Sequence, residues 1–366
     1  MQIKAAVTNS KSEDFKIETI QLDEPKAGEV LIRLVASGVC HTDMVAQDQE
    51  YPVPLPAVLG HEGSGVVEKV GVGVTTLEPG DHVVMGFAHC GKCNQCLSGH
   101  PFVCERFFEL NFVGKMEDGS CRHHNHANED LSIFFGQSSF GTYTVVNERN
   151  VVKVDKDVDL ALLGPLGCGI QTGSGSVLNR LKPESGSSIV VFGAGAVGLS
   201  ALMAAKAIGC GTIIAVDVHD NRLELAKELG ATHTINGRNV NVPEEVKKII
   251  AGGANYAVET AGVPGILRQA VDSLGIRGVV CQIGAPPLGT DEKIDVNDLL
   301  LANKTITGVV EGDSIPRIFI PQLISLYKEG KFPFDKLVKF YNFEDINQAV
   351  ADSKNGSTIK PIIKMG

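Results

Sequence analysis

The sequence predicts an α/β protein in two parts: a doubly wound parallel sheet, preceded by a smaller domain of short strands. Three observations predict it. From Ser187 onward, apolar runs of strand length (SSIVVFG, TIIAVD, NYAVETAG, VVCQIGAPP, KTITGVVEG) alternate with helical stretches (LSALMAAKAIG, LELAKELGA, VPEEVKKIIAGG, LRQAVDSLG, VNDLLLANK). That alternation belongs to parallel strands covered by helices on both faces. Residues 1–85 read instead as short strands punctuated by Gly and Pro (KAAVT, KIETIQL, EVLIRLVASGVC, GSGVVEKVG, DHVVMG), the pattern of a small β-barrel or sandwich. Finally, 366 residues with 43% apolar content are more than a single core usually holds.

The bulk numbers narrow the function classes. A net charge of −10 disfavours a nucleic-acid partner. No apolar run approaches the roughly 20 residues of a membrane span, and MQIKAAVTNSKSEDFKIE lacks the apolar core of a signal peptide. The expectation is a cytoplasmic protein with no membrane partner, whose nine cysteines stay out of disulfides.

Within the first part sit two polar knots, Cys40-His41-Thr42-Asp43 directly after a strand and Gly60-His61-Glu62-Gly63. They are followed by Cys90, Cys93, Cys96 and Cys104, spaced x2, x2 and x7. Four thiolates this close can enclose a tetrahedral zinc with no open position, which is a structural kind of site; the same short spacings also serve iron–sulfur clusters. Cys121 with His123, His124 and His126 could suggest a further metal site. They lie in the charged stretch EDGSCRHHNHANED, and the expectation is a solvated loop. Leu166-Gly167-Cys168-Gly169 forms another knot just before a predicted helix.

The centre of the second part is Ser187–Asp217. An apolar β-branched run reaches Gly193, a G-x-G-x-x-G turn (Gly193, Gly195, Gly198) opens an Ala/Leu-rich helix, and a second apolar run ends in Asp217. Gly193 permits the tight turn, Gly195 lets backbone amides approach a pyrophosphate, and Gly198 lets helix and strand pack closely. The helix start offers free N–H groups and partial positive charge to phosphates. An acid closing the second strand suits the ribose hydroxyls and repels a 2′-phosphate, so NAD is expected over NADP.

Taken together, Cys40–Asp43, GHEGSGVV at 60–67, the four-cysteine lobe at about 88–106, Leu166–Gly169 and GAGAVG with Asp217 give a chain that resembles the zinc-dependent medium-chain alcohol dehydrogenases over essentially its whole length. LGPLGCGIQTG, IDVNDLLL, GVVEG and KFPFDKLVKFY are similar to the bacterial aryl-alcohol (benzyl-alcohol) subgroup. The resemblance implies a GroES-like β-barrel catalytic domain from both chain ends (1–169 and 311–366) and a Rossmann domain between them (170–310). It implies reversible hydride transfer from a primary aryl alcohol to NAD⁺, two zinc ions per chain, and a homo-oligomer, dimer or tetramer. Two rivals stand beside it: a terpenoid (geraniol-type) or general alcohol dehydrogenase, and a non-catalytic zinc-thiolate nucleotide sensor.

The chemistry explains why such residues are wanted. A neutral carbinol expels hydride poorly, and a Lewis acid that eases its ionisation is the remedy. A catalytic zinc keeps three protein ligands and one open position, and the resemblance assigns these to Cys40, His61 and Cys168. It makes Asp43 the carboxylate that orients His61, gives Glu62 a role in ligand exchange, and makes Thr42 the first acceptor of the alcohol proton. Three residues after Thr42, where many relatives carry a histidine, stands Val45, so the proton path must end differently. By the same resemblance the cofactor is met by His41, Thr172, Val197, Asp217, Arg222, Ile283, Gly284, Ala285 and Lys360, besides the glycine turn.

Overall fold

The computed structural model describes residues 1–366, which divide into two compact units. Residues 1–168, 315–323 and 335–366 form the first; residues 169–314 and 324–334 form the second. A boundary at 310 therefore falls early. Residues 311–314 stay with the second unit because Gly312 lies against the helix Gly169–Gly175, where a Cβ would stand 2.2 Å from the Gln171 carbonyl oxygen. Residues 324–334 join it as well, with Tyr327, Phe332 and Phe334 packed ring on ring.

In the first unit, Gln2–Thr8, Lys16–Leu22, His123–His124, Asp130–Ile133 and Ala57–Val58 close a small barrel. A seven-stranded sheet accompanies it, centred on Glu29–Gly38, whose pattern is buried nearly throughout because strands pair with it on both edges. The C-terminal strand Lys360–Lys364 is one of these neighbours, antiparallel to Glu29–Gly38 with Ile362 opposite Gly38. The last strand thus joins the sheet of the N-terminal half of this unit, while the first two strands belong to the barrel.

The histidine-rich stretch corrects the solvated-loop expectation at Cys121–His123, while residues 126–130 are exposed. His123 pairs with Leu22 and Leu131 to close the barrel, and it is 1% exposed. The polar sequence conceals this burial because its charges are satisfied internally: the buried Arg122 guanidinium reaches the Glu29 carboxylate at 3.0 Å and Asp118 at 3.0 Å. Cys121 is also buried, its thiol donating to the Gly114 carbonyl oxygen.

The second unit is built on six parallel strands, numbered within this sheet β1 (Ser188–Phe192), β2 (Thr212–Asp217), β3 (His233–Asn236), β4 (Ala254–Glu259), β5 (Leu274–Gln282) and β6 (Thr305–Gly308). Their order is β3-β2-β1-β4-β5-β6, the dinucleotide-binding order that reverses direction between β1 and β4. Val190, Phe192, Ile214, Val216, Ala257 and Val280 line one face of the sheet and pack against the helices Val242–Ile249 and Ile266–Asp272. No helix of the protein is long and apolar enough to cross a membrane.

Candidate active site

Cys40 follows the central strand and caps the helix His41–Gln47, its N–H donating to Asp43 Oδ2 at 2.9 Å. The other oxygen of this fully buried carboxylate accepts the Gly60 N–H at 3.1 Å and lies 2.8 Å from His61 Nδ1. One side chain therefore fixes both the Cys40 turn and the His61 ring. Cys168 arrives by a different device. The turn Gly164–Gly167 passes so closely over two strands that a Cβ would stand 2.2 Å from the Glu62 carbonyl oxygen at Gly164, and 2.0 Å from that of Met85 at Gly167. The glycines of LGPLGCG are what let the thiol reach the site.

As a result the donor atoms of Cys40, His61, Glu62 and Cys168 all lie within 4.8 Å of one another. His61 Nε2 is buried with no hydrogen-bond partner, a state that costs free energy unless another group uses the lone pair or proton. Contact with the Cys168 sulfur draws the Cys40 thiol well below its usual range against the effect of burial, with Lys360 and His61 assisting. Burial opposes charge on His61, yet Asp43 and Cys40 hold its pKa well above the usual value. Burial pushes Glu62 upward, and Lys360 offsets only part of that. Two thiols, an oriented imidazole and an orphaned ring nitrogen fit a Cys₂His metal centre.

Lys360, expected at a pyrophosphate, is 3% exposed and places its ammonium 2.9 and 2.8 Å from the two Glu62 oxygens. Burial disfavours its charge, but Glu62 and Cys40 more than restore it. Thr42 is half-buried, its hydroxyl 3.8 Å from the Cys40 sulfur, and His41 is exposed. Two core rings close on His61: Phe135 stacks on the imidazole at 4.6 Å and Phe134 meets it edge-on at 5.4 Å. Phe135 adopts φ +53°, a left-handed conformation that costs a bulky residue about 1–3 kcal/mol and tends to mark functional segments.

The four-cysteine lobe converges as its spacing required, with all four sulfurs within 4.8 Å of one another. Sulfurs each about 2.3 Å from a tetrahedral zinc stand roughly 3.8 Å apart. Cys90 and Cys96 are separated by 4.0 Å, and Cys93 and Cys104 by 3.9 Å. Backbone N–H groups of Lys92 and Cys93 point at the Cys90 sulfur, and that of Cys96 at Cys93. Those donors suit thiolates.

In the second unit the glycine turn has the geometry its motif demands. Gly193 sits at φ +92°, and a Cβ on Gly198 would fall 1.8 Å from the Gly193 carbonyl oxygen. A Cβ on Gly195 would meet nothing within 4 Å, so that face is open to a ligand. Gly195 caps the thirteen-residue helix Ala196–Ile208, with Val197 in its first turn. A cavity of about 480 Å³ beside it is lined by Gly193, Gly195, Asp217, Arg222, Thr260 and Gln269, among others. Asp217 accepts N–H bonds from Ala194, Val218 and His219, and Arg222 Nη1 lies 3.8 Å from its carboxylate. Ile283 and Gly284 donate their N–H groups to the Glu259 carbonyl oxygen, which holds the 283–285 turn at the strand ends. Thr172 lies 3.4 Å from the Glu311 carboxylate.

Comparison with known proteins gives these arrangements a family. Residues 26–156 match the alcohol dehydrogenase GroES-like domain and residues 196–329 the zinc-binding dehydrogenase domain. The chain is 42% identical to geraniol dehydrogenase of Castellaniella defragrans, over 98% of its own length and 97% of the relative's. Its fold is similar to the crystal structure of benzyl alcohol dehydrogenase from Acinetobacter calcoaceticus, with a TM-score of 0.97, 54% identity and both chains covered in full. An alcohol dehydrogenase zinc-binding domain protein from Burkholderia ambifaria matches with a TM-score of 0.98 and 53% identity, over 100% of this chain and 99% of that one. With a GroES-like unit that gathers two cysteines and a histidine, and a dinucleotide-type sheet, the chain belongs to the zinc-dependent medium-chain alcohol dehydrogenase family.

Proposed function

We propose that this alcohol dehydrogenase oxidises primary aryl alcohols to aldehydes reversibly with NAD⁺. The observation that carries the reading is the orphaned His61 Nε2 beside the Cys40 and Cys168 sulfurs. These three residues would hold a catalytic zinc, and the four-cysteine lobe would hold a second, structural one. When bound at the first site, zinc supplies the Lewis acid that lets an alcohol ionise near neutral pH. Asp43 fixes the tautomer of His61, leaving Nε2 for the metal. The Glu62–Lys360 pair keeps a compensated carboxylate among the ligands, within reach of an exchange of partners. Thr42 accepts the alcohol proton. With Val45 at the position where many relatives carry a histidine, water is the next carrier.

For the substrate, the likeness to benzyl alcohol dehydrogenase supports an aryl group. The likeness to geraniol dehydrogenase supports an allylic alcohol as the second reading. Asp217 closing β2 supports NAD over NADP, since a 2′-phosphate would meet its carboxylate. Family likeness supports a cytoplasmic homo-oligomer, dimer or tetramer. The test is a panel of benzyl alcohol, geraniol, butanol and sorbitol, each with NAD⁺ and NADP⁺. The highest kcat/KM is expected for benzyl alcohol with NAD⁺. A higher value for geraniol would establish the second reading, and nucleotide binding without any turnover would make the chain a sensor.

A further inference from the structure

Glu259, the last residue of β4, carries a carboxylate that the proposed chemistry does not use. It is 1% exposed, in the middle of the sheet and next to the point where strand order reverses. Burying an acid without a positive partner is costly, and burial indeed pushes its pKa upward. What holds it is a set of N–H donors from two loops. Oε1 accepts the N–H groups of Ala261 at 2.7 Å and Gly262 at 3.0 Å. Oε2 accepts from Gln282 Nε2 at 2.7 Å, and the same amide nitrogen donates to the Gly284 carbonyl oxygen at 2.6 Å.

The Gln282 amide has one orientation that fits. Turned over, its oxygen would face two acceptors, the Glu259 carboxylate and the Gly284 carbonyl. As placed, its Oε1 is buried without a partner, an unmet acceptor retained in favour of the two bonds made by Nε2. The two loops are also in backbone contact: a Cβ on Gly284 would stand 2.2 Å from Gly262 N and 2.7 Å from Glu259 Oε2. Thr260 extends the network to the glycine turn, its hydroxyl donating to the carbonyl oxygens of Phe192 at 2.8 Å and Gly193 at 3.1 Å.

A dinucleotide on such a sheet lies across the carboxyl ends of the strands and spans the reversal point. The adenosine half belongs on the side of β2, in the cavity that Asp217 and Arg222 share with Thr260 and Ala261 of the loop after β4, and the nicotinamide half beyond it, past the end of β5. We propose that Glu259 is a positioning residue of the cofactor site, which with Gln282 holds the 283–285 loop, where the nicotinamide half is received, against the 260–262 loop that lines the adenosine cavity. The inference rests on the dinucleotide reading above.

The test compares NADH with ADP-ribose, which lacks the nicotinamide, by fluorescence and calorimetric titration of the full chain. Glu259→Gln keeps an acceptor for the 261 and 262 amides but presents an NH₂ group to the Gln282 NH₂. Gln282→Met removes the tie between the loops while keeping side-chain volume. Both variants are expected to raise the Kd for NADH about tenfold and to leave that for ADP-ribose within twofold. Equal weakening of both ligands, or unchanged NADH affinity, overturns the proposal; if Glu259→Gln does not fold, Gln282→Met decides alone. Failure of the unmodified chain to bind NADH would instead overturn the dinucleotide reading itself.

Discussion

Cys90, Cys93, Cys96 and Cys104 are gathered by one short turn-rich lobe, whereas Cys40, His61 and Cys168 come from segments far apart in the chain. In the lobe the backbone does the work, its own N–H groups aimed at the sulfurs. In the other site the work is tertiary: a carboxylate from a helix turn holds a histidine at the head of a strand, and two glycines let a loop deliver the second thiol. A local cluster can form with little help from the rest of the fold. A scattered one exists only when the sheet is complete.

Substituting one ligand in each cluster gives the largest expected effect and the clearest way to break the comparison. Cys40→Ser is expected to lower kcat roughly 10³-fold or more, because several kcal/mol of Lewis-acid stabilisation is lost. Metal analysis should show one zinc lost, with melting temperature close to the parent's. Cys96→Ser should do the reverse, releasing the other zinc and lowering Tm by about 10 °C while the folded fraction keeps its activity. If both variants lose activity equally at constant Tm, the division into a chemical and a structural centre fails.

The same contrast explains what could be read before the fold was known. The lobe and the glycine turn were legible because their chemistry depends on spacing along the chain. Cys40, His61 and Cys168 are single residues with no periodicity between them, and only resemblance joined them. Glu259 escaped entirely. An acid at a strand end reads as solvated until the sheet order buries it. The partner of Lys360 was hidden for a related reason, since a lysine opening the last strand gives no sign that it meets Glu62.

A smaller effect probes the tertiary support of the scattered site. Asp43 touches His61, the Cys40 N–H and the Gly60 N–H, but is placed among none of the metal's expected ligands. Asp43→Asn keeps the shape and weakens the acceptor towards His61 Nδ1. An outer carboxylate of this kind is typically worth about 10–100-fold in metal affinity or activity. Zinc titration against a chelator should show that loss at the first site only, with the lobe retaining its metal. Equal loss at both sites would mean that Asp43 supports the fold at large rather than the histidine.

The histidine-rich stretch sharpens the comparison from the other side, since it is as dense in sequence as the lobe and yet forms no donor cluster. Strand alternation separates its members: His123 turns into the barrel, while His124 lies between Asp23 and Asp130. Burial lowers the His123 pKa from 6.5 to about 4, with His124 and Arg122 adding to the effect and Asp23 opposing it. Between those values the unfolded chain binds the proton and the folded chain does not, so stability must fall as pH drops from about 6.5 towards 4. The full difference corresponds to about 3 kcal/mol. His123→Phe removes the titrating group and keeps a ring against Leu22 and Leu131. Its urea-unfolding free energy should therefore lose less than the parent's between pH 7 and pH 4, other titrations being common to both. Parallel pH profiles would show that the ring reaches a proton acceptor or solvent, and that the barrel seam is looser than its burial implies.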